Sequence, residues 1–195
     1  MTTDRARGCG VVDRCSRLPT ADQAAPSART EDHPRQKHRN GDGRTHRVRL
    51  AQPRRLGWVD PEFRAHLLAD AVGAVAEYEQ QTVPLAVLED TPTVHHLIVC
   101  TLCSCYPSGI LGPPPTWYKT FEYRSRVVRE PRAVLAQFGM DVELGVELCV
   151  HDSTAEQRYL VLPLRPDGTD DWDVDRLAAL VTRNSMIGTG RPLSP

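Results

Sequence analysis

Hydrophobic positions divide the chain into an unpatterned stretch and a patterned remainder. Over residues 1–56 the apolar residues are scattered among Pro, Gly, Arg, His, Asp and Thr, with neither a helical nor a strand period. From Phe63 onward the pattern changes. Phe63, Leu67, Leu68, Ala71, Val72, Val75 and Ala76 recur at helical spacing, which predicts an amphipathic helix running to about Tyr78. Asp60 is a capping residue ahead of it and Pro61 suits a first turn. Val83 to Leu88 reads as a short strand closed by the turn Glu89-Asp90-Thr91-Pro92, and Leu97-Ile98-Val99 is a further apolar run.

Pro107, Gly109, Gly112 and Pro113-Pro114-Pro115 are expected to forbid regular structure for several residues. Helical patterns return near 117–128 and 131–138; Pro131 is tolerated only at a first turn, so it starts a new helix, and Gly139 is a C-terminal stop. Val146, Leu148 and Val150 alternate with polar neighbours as a strand should, and Tyr159-Leu160-Val161-Leu162 reads as another. Asp167-Gly168 and Asp170-Asp171 mark turns, and Asp173 to Val181 is a short helix. The sum is an α+β chain without internal repeats, with most strands expected after the cysteine-rich segment described below.

Length and charge change this picture in one respect. The 195 residues suffice for one domain and a tail. Residues 1–55 carry 13 Lys/Arg against 6 Asp/Glu, whereas the remaining 140 residues carry 11 against 19. A basic arm could grip nucleic acid, but residues 1–55 contain no Phe, Tyr or Trp. We read residues 1–56 as a solvated, flexible basic tail, with nucleic acid not expected as a partner. No apolar run approaches membrane-spanning length, and the polar N-terminus, with Val11-Val12 as its longest nearby apolar stretch, is unlike a secretory signal. The expected location is the cytoplasm, where thiols stay reduced.

Six cysteines then become a matter of metal chemistry rather than disulfides. Cys9 and Cys15 fall in the tail, and Cys149 sits in a strand-like stretch as a small buried hydrophobe. Cys100, Cys103 and Cys105 form a C-x-x-C-x-C cluster. The Cys105 thiolate and its own amide nitrogen can close one chelate ring, the amides of Ser104 and Cys105 a second, and the Cys103 thiolate with the Ser104 amide a third. Cys100 can then supply an axial sulfur, leaving one octahedral position open. Deprotonated amides require a strongly Lewis-acidic ion, for which trivalent cobalt or iron is better suited than zinc. The competing reading is a zinc knuckle with His95 or His96 as fourth ligand. Spacing alone leaves the two open.

The segment Val99-Cys100-Thr101-Leu102-Cys103-Ser104-Cys105-Tyr106-Pro107 resembles the metal-binding motif of nitrile hydratase α subunits and of the related thiocyanate hydrolase γ subunits. The resemblance extends through Trp58-Val59-Asp60-Pro61, Trp117-Tyr118-Lys119, Tyr123-Arg124, Arg126 to Arg132, Asp152-Ser153, Arg158-Tyr159 and Val181-Thr182-Arg183. It covers roughly residues 57–190, leaving a basic tail at 1–56 and a short C-terminal tail at 191–195.

The resemblance implies a layered α/β/β/α domain that hydrates a small-molecule nitrile to its amide. It further implies a non-corrin Co(III) centre, or Fe(III), held by Cys100, Cys103 and Cys105 with the amides of Ser104 and Cys105. Thr101 points to cobalt, by correlation within the family. Cys103 would be a sulfinate and Cys105 a sulfenate, with Cys105, Cys103 and Ser104 as the catalytic set and Gln81 and Arg158 around it. A β subunit, as one chain or split into two, would supply arginines to the oxidised sulfurs, and a metallochaperone or activator would load the metal. Most family α subunits have Trp-Pro where this chain has Ser108-Gly109. The loss of a large ring is expected to open the pocket and free the backbone. It suggests a bulkier substrate, such as a heteroaromatic nitrile of a toyocamycin-like nucleoside, unless partner residues fill the space. The segment Glu77 to Pro84 also lacks glycines common in the family, which suggests a different partner interface. The alternatives are a thiocyanate hydrolase γ-like subunit and a zinc-stabilised nucleic-acid-binding module.

Overall fold

A computed structural model describes residues 57–76, 83–103 and 105–195, together with the backbone of a short strand in the N-terminal segment. That strand, β1 (Arg14–Ser16), pairs antiparallel with β4 (Glu147–Asp152), Cys15 opposite Cys149. The other strands are β2 (Leu85–Glu89), β3 (Val94–Val99) and β5 (Arg158–Leu162). They form two sheets, one ordered β1-β4-β3 and the other β2-β5. Both β3–β4 and β2–β5 are parallel pairs. Parallel neighbours need long crossovers, and the residues between β3 and β4 supply one built largely of helix. The α+β class holds. The strand distribution does not, because among the described residues β1, β2 and β3 precede the cysteines and β4 and β5 follow them.

The predicted first helix is two helices. α1 (Pro61–Ala69) is capped by Asp60, which accepts from the Phe63 amide at 2.9 Å. Asp70 then interrupts it, its carboxylate capping α2 (Ala71–Val75) through the Gly73 amide at 3.0 Å. A short carboxylate that bonds nearby amides competes with continuing the helix, and this local chemistry overrides the apolar period. The far end of the predicted helix, residues 77–78, lies outside the described residues, as does the basic tail apart from β1, and the strand predicted from Val83 starts two residues later, at Leu85.

The proline-rich stretch is also more regular than its composition predicts. α3 (Ser108–Leu111) is one helical turn, entered from Pro107 and ended by Gly112 at φ +74°. Ser108 and Gly109 are therefore helical, and their backbone is not freed as expected. The stretch predicted at 117–128 divides into a 3₁₀ turn (Thr116–Lys119) and α4 (Phe121–Val127), because Thr120 accepts from the Tyr123 amide and restarts the chain as a cap. α5 (Pro131–Gln137) begins at proline and stops before Gly139 at φ +80°, as the sequence predicts. α6 (Val174–Leu180) matches the predicted last helix, and α7 (Arg183–Met186) adds an unpredicted turn closed by a Thr182–Ser185 capping box.

Leu97, Ile98 and Val99 of β3 are completely buried, together with Leu160, Leu135, Ile187 and Tyr118. An aromatic group of Trp117, Tyr118, Tyr123 and Phe138 packs behind them, with Trp117 4.6 Å from Phe138 and 4.9 Å from Tyr123 between ring centres. Among the described residues, no helix is long and apolar enough to cross a membrane.

Candidate metal centre

β3 delivers the cysteines. It ends at Val99, and Cys100 is fully buried where the chain leaves the sheet. Because β4 runs parallel in register Val99↔Asp152, Asp152 arrives at the same carboxyl end of the strand pair. Asp152 accepts from the Thr101 amide at 2.8 Å and from the Thr101 hydroxyl at 2.5 Å. This bidentate clamp turns the chain immediately after Cys100.

The three sulfurs converge. Sγ of Cys103 lies 3.4 Å from Sγ of Cys100 and 3.0 Å from Sγ of Cys105, and all three fall within 4.8 Å of one another. With a metal–sulfur bond of ~2.3 Å, two sulfurs at right angles stand ~3.3 Å apart, whereas tetrahedral neighbours stand ~3.8 Å apart. The observed separations match the right-angled corner. Among the described residues no fourth His, Cys or carboxylate joins the group. His95 is committed elsewhere, with Nδ1 2.8 Å from Asp90 and Nε2 2.8 Å from the Gly188 carbonyl. His96 Nδ1 lies 2.9 Å from Nε2 of His151. The fourth ligand of the zinc knuckle is therefore not supplied by either histidine, and the donor set present fits an ion taking thiolates at right angles.

The surroundings of Cys105 favour its neutral thiol until a metal enters. Burial, then hydrogen bonds to Cys103 and Cys100, push the Cys105 thiol up to about 12, with the Arg158 cation opposing. An incoming ion must displace that proton. Burial also holds the Tyr118 and Tyr123 phenols well above their ordinary range, so both remain donors. Tyr118 donates to the Cys105 carbonyl at 3.0 Å and Tyr123 to the Ile98 carbonyl at 2.8 Å, bracketing the loop. Arg124, from α4, reaches the Thr101 and Cys103 carbonyls, each at 3.3 Å. Leu102, at the tip, is 84% exposed, and Cys103 is exposed beside it.

The sequence matches a family model described as nitrile hydratase, alpha chain, over residues 45–190. The chain belongs to the nitrile hydratase α-chain family. The low-molecular weight cobalt-containing nitrile hydratase subunit alpha of Rhodococcus rhodochrous is 52% identical over 141 residues, covering 71% of this chain and 68% of that one. Thiocyanate hydrolase subunit gamma of Thiobacillus thioparus is 44% identical over 149 residues, 69% of this chain and 61% of its own. Among solved structures, a double mutant of the Fe-type nitrile hydratase from Comamonas testosteroni Ni1 superposes with a TM-score of 0.69 at 41% identity, covering 76% of this chain and 72% of that one.

Against that family pattern, the structure brings together Cys100, Cys103 and Cys105, while Ser104 and Gln81 lie outside the described residues. Arg158 starts β5 near enough for its charge to act on Cys105, and one of its terminal nitrogens is buried without a partner. Tyr118, Tyr123, Arg124 and Asp152 are the residues that sequence reasoning passed over. All four stand in segments that carry the resemblance to nitrile hydratase α subunits, but without coordinates nothing ties a side chain 13 to 51 positions away to the cysteine loop. Asp152→Ala should leave the Thr101 amide unpaired at a half-buried turn, a loss of about 1–3 kcal/mol local to the loop. The expected result is a several-fold fall in cobalt occupancy under limiting metal with a melting temperature only a few degrees lower; unchanged occupancy would remove the clamp from the account.

Proposed function

We propose that this chain is the metal-bearing α subunit of a cobalt nitrile hydratase, converting a nitrile to the corresponding amide. The observation that carries the reading is the convergence of three cysteine sulfurs within 4.8 Å of one another at the end of a parallel strand pair. The 52% identity to a relative named as cobalt-containing supports the choice of metal. Cys100, Cys103 and Cys105 would hold the ion with the amides of Ser104 and Cys105. When bound, a trivalent ion supplies Lewis acidity that polarises a nitrile or acidifies water. Cys103 as sulfinate and Cys105 as sulfenate would place oxygens at the mouth of the site, where the Cys105 oxygen would attack the nitrile carbon as nucleophile or take a proton from the attacking water as base. Gln81 and Arg158 would be the residues around that oxygen, a part for Arg158 that its unpartnered buried nitrogen supports.

A β subunit, as one chain or two, completes the site with arginines, for which oxidised sulfurs are suited acceptors. An activator protein loads the cobalt. A cysteine cluster that takes up a metal through reduced thiols suits a reducing compartment, which supports a cytoplasmic location. Ser108 and Gly109 are exposed at the first turn of α3, close in sequence to Cys105. A serine and a glycine where most family members carry Trp-Pro favour a bulky or heteroaromatic nitrile, such as a toyocamycin-like nucleoside, over a small aliphatic one. Thiocyanate hydrolysis is the second reading, and the lower identity to the γ subunit argues against it.

Co-expression with the partner subunit tests all of this together. Purified protein is expected to hold about one cobalt per α chain, to show a sulfur-to-metal charge-transfer band, and to turn over a nucleoside nitrile faster than acrylonitrile. Stoichiometric zinc in a colourless protein would overturn the assignment, and a clear preference for acrylonitrile would remove the bulky-substrate reading alone.

A further inference from the structure

We propose that Arg124 is the counter-cation of the cysteine loop, a positioning residue that stabilises the metal centre by charge placed on the loop's backbone. The proposal rests on the metal-centre reading above and concerns a residue to which that reading gives no part.

Arg124 donates from one terminal nitrogen to the carbonyls of both Thr101 and Cys103. The Cys103 carbonyl belongs to the peptide whose nitrogen is that of Ser104. When that nitrogen is a ligand and has lost its proton, the charge is shared along the O–C–N unit, and the carbonyl oxygen carries part of it. The guanidinium therefore sits on the oxygen where charge collects. Its own charge is otherwise uncompensated: among the described residues Arg124 has no carboxylate in ion-pair range, and its Nε is buried with no partner. Arg126, two residues further along α4, differs, being paired with both Glu122 and Glu130.

An unpaired, partly buried cation is costly unless negative charge arrives. Three thiolates and two deprotonated amides around a trivalent ion leave a formal charge of about −2, which needs such a partner. Arg124 approaches it from the chain's own backbone side, opposite in kind to arginines that a partner would bring to the sulfur oxygens.

The test is cobalt retention in the full chain co-expressed with its partner subunit, comparing Arg124→Lys and Arg124→Gln with wild type. Cobalt release is followed in a chelator by loss of the charge-transfer band, and folding by melting temperature. Charge compensation predicts release at least tenfold faster for the glutamine variant, which keeps a hydrogen-bond donor, and within about threefold of wild type for the lysine variant, at similar melting temperatures. Equal release from glutamine and wild type overturns the proposal, as does a lysine variant as leaky as glutamine, which would make shape rather than charge decisive. If wild type itself takes up no metal, the underlying metal-centre reading fails, and this proposal with it; if wild type loads normally, only the proposal is at stake.

Discussion

Replacing Cys105 with alanine should yield a folded protein with neither metal nor nitrile turnover. Cys105 is 7% exposed and its sulfur stands 3.0 Å from that of Cys103. Removing it deletes a thiolate and opens the chelate ring shared with its own amide. The remaining sulfurs, Cys100 and Cys103, cannot define a right-angled three-sulfur corner. The packing loss is small, because one sulfur in a core costs on the order of 1 kcal/mol, so the fold survives while the site does not. Cobalt content is expected to fall below about a tenth of wild type and turnover per chain by more than ~10³-fold, the scale on which loss of an essential catalytic group is read. Cys149→Ala is the matched control. It also removes a buried thiol, but one on β4 outside the cluster, and should leave cobalt content unchanged. Normal turnover in the Cys105 variant would end the assignment.

Gly188→Ala is expected to be the most destructive single substitution for stability. Gly188 follows α7 at φ +78°, a left-handed conformation that a side chain resists. A Cβ there would lie 1.9 Å from the His96 carbonyl oxygen and 2.9 Å from the Leu97 Cα. Both contacts are backbone of β3, so no rotamer change relieves them. The chain is pinned on both sides of the contact, by the Ile98 amide donating to the Ile187 carbonyl at 3.0 Å and by His95 bonded to the Gly188 carbonyl. A loss above about 4 kcal/mol is expected, in the range reserved for core disruption, with a melting temperature lower by roughly 10 °C or more. Gly145→Ala, where nothing lies within 4 Å, should be nearly silent in the same melt. Because β3 carries the cysteines, the Gly188 variant is expected to lose cobalt along with its fold. A melting temperature within 2–3 °C of wild type, a shift of about 1 kcal/mol, would show that β3 can move aside.

What could be read from the sequence followed local rules. The Asp60-Pro61 start, the Pro131 start, the Gly139 stop and the presence of strands β4 and β5 each depend on a few neighbouring residues and stand where expected, but β4 is buried at four consecutive positions rather than alternately and leaves Val146 outside it. The misses also have local causes. Asp70 and Thr120 cap new helices inside runs whose apolar spacing alone suggests continuity. Pro107 and Gly112, read as breakers, instead bound a helical turn. The cysteine cluster could be read from the sequence because its three members lie within six residues. Its supports did not, because Asp152, Arg124 and Tyr118 reach the loop only through the pairing of β3 with β4 and the crossover between them. The displacement of His95 and His96 from metal binding likewise depends on Asp90, Gly188 and His151, and no spacing rule connects these residues.

The parallel pairing of β3 with β4 also sets an order of events in time. Thr101 meets Asp152 across 51 positions and Arg124 across 23, so the cysteine loop is synthesised before either support. Contacts of such long separation form late in folding, because the intervening loop must close first. Until β4 docks, the three thiols are an unshaped and reactive segment, open to oxidation or to the wrong metal. Cobalt delivery is thereby tied to a nearly finished domain, and any factor that inserts the ion must act on a folded client rather than on a nascent chain.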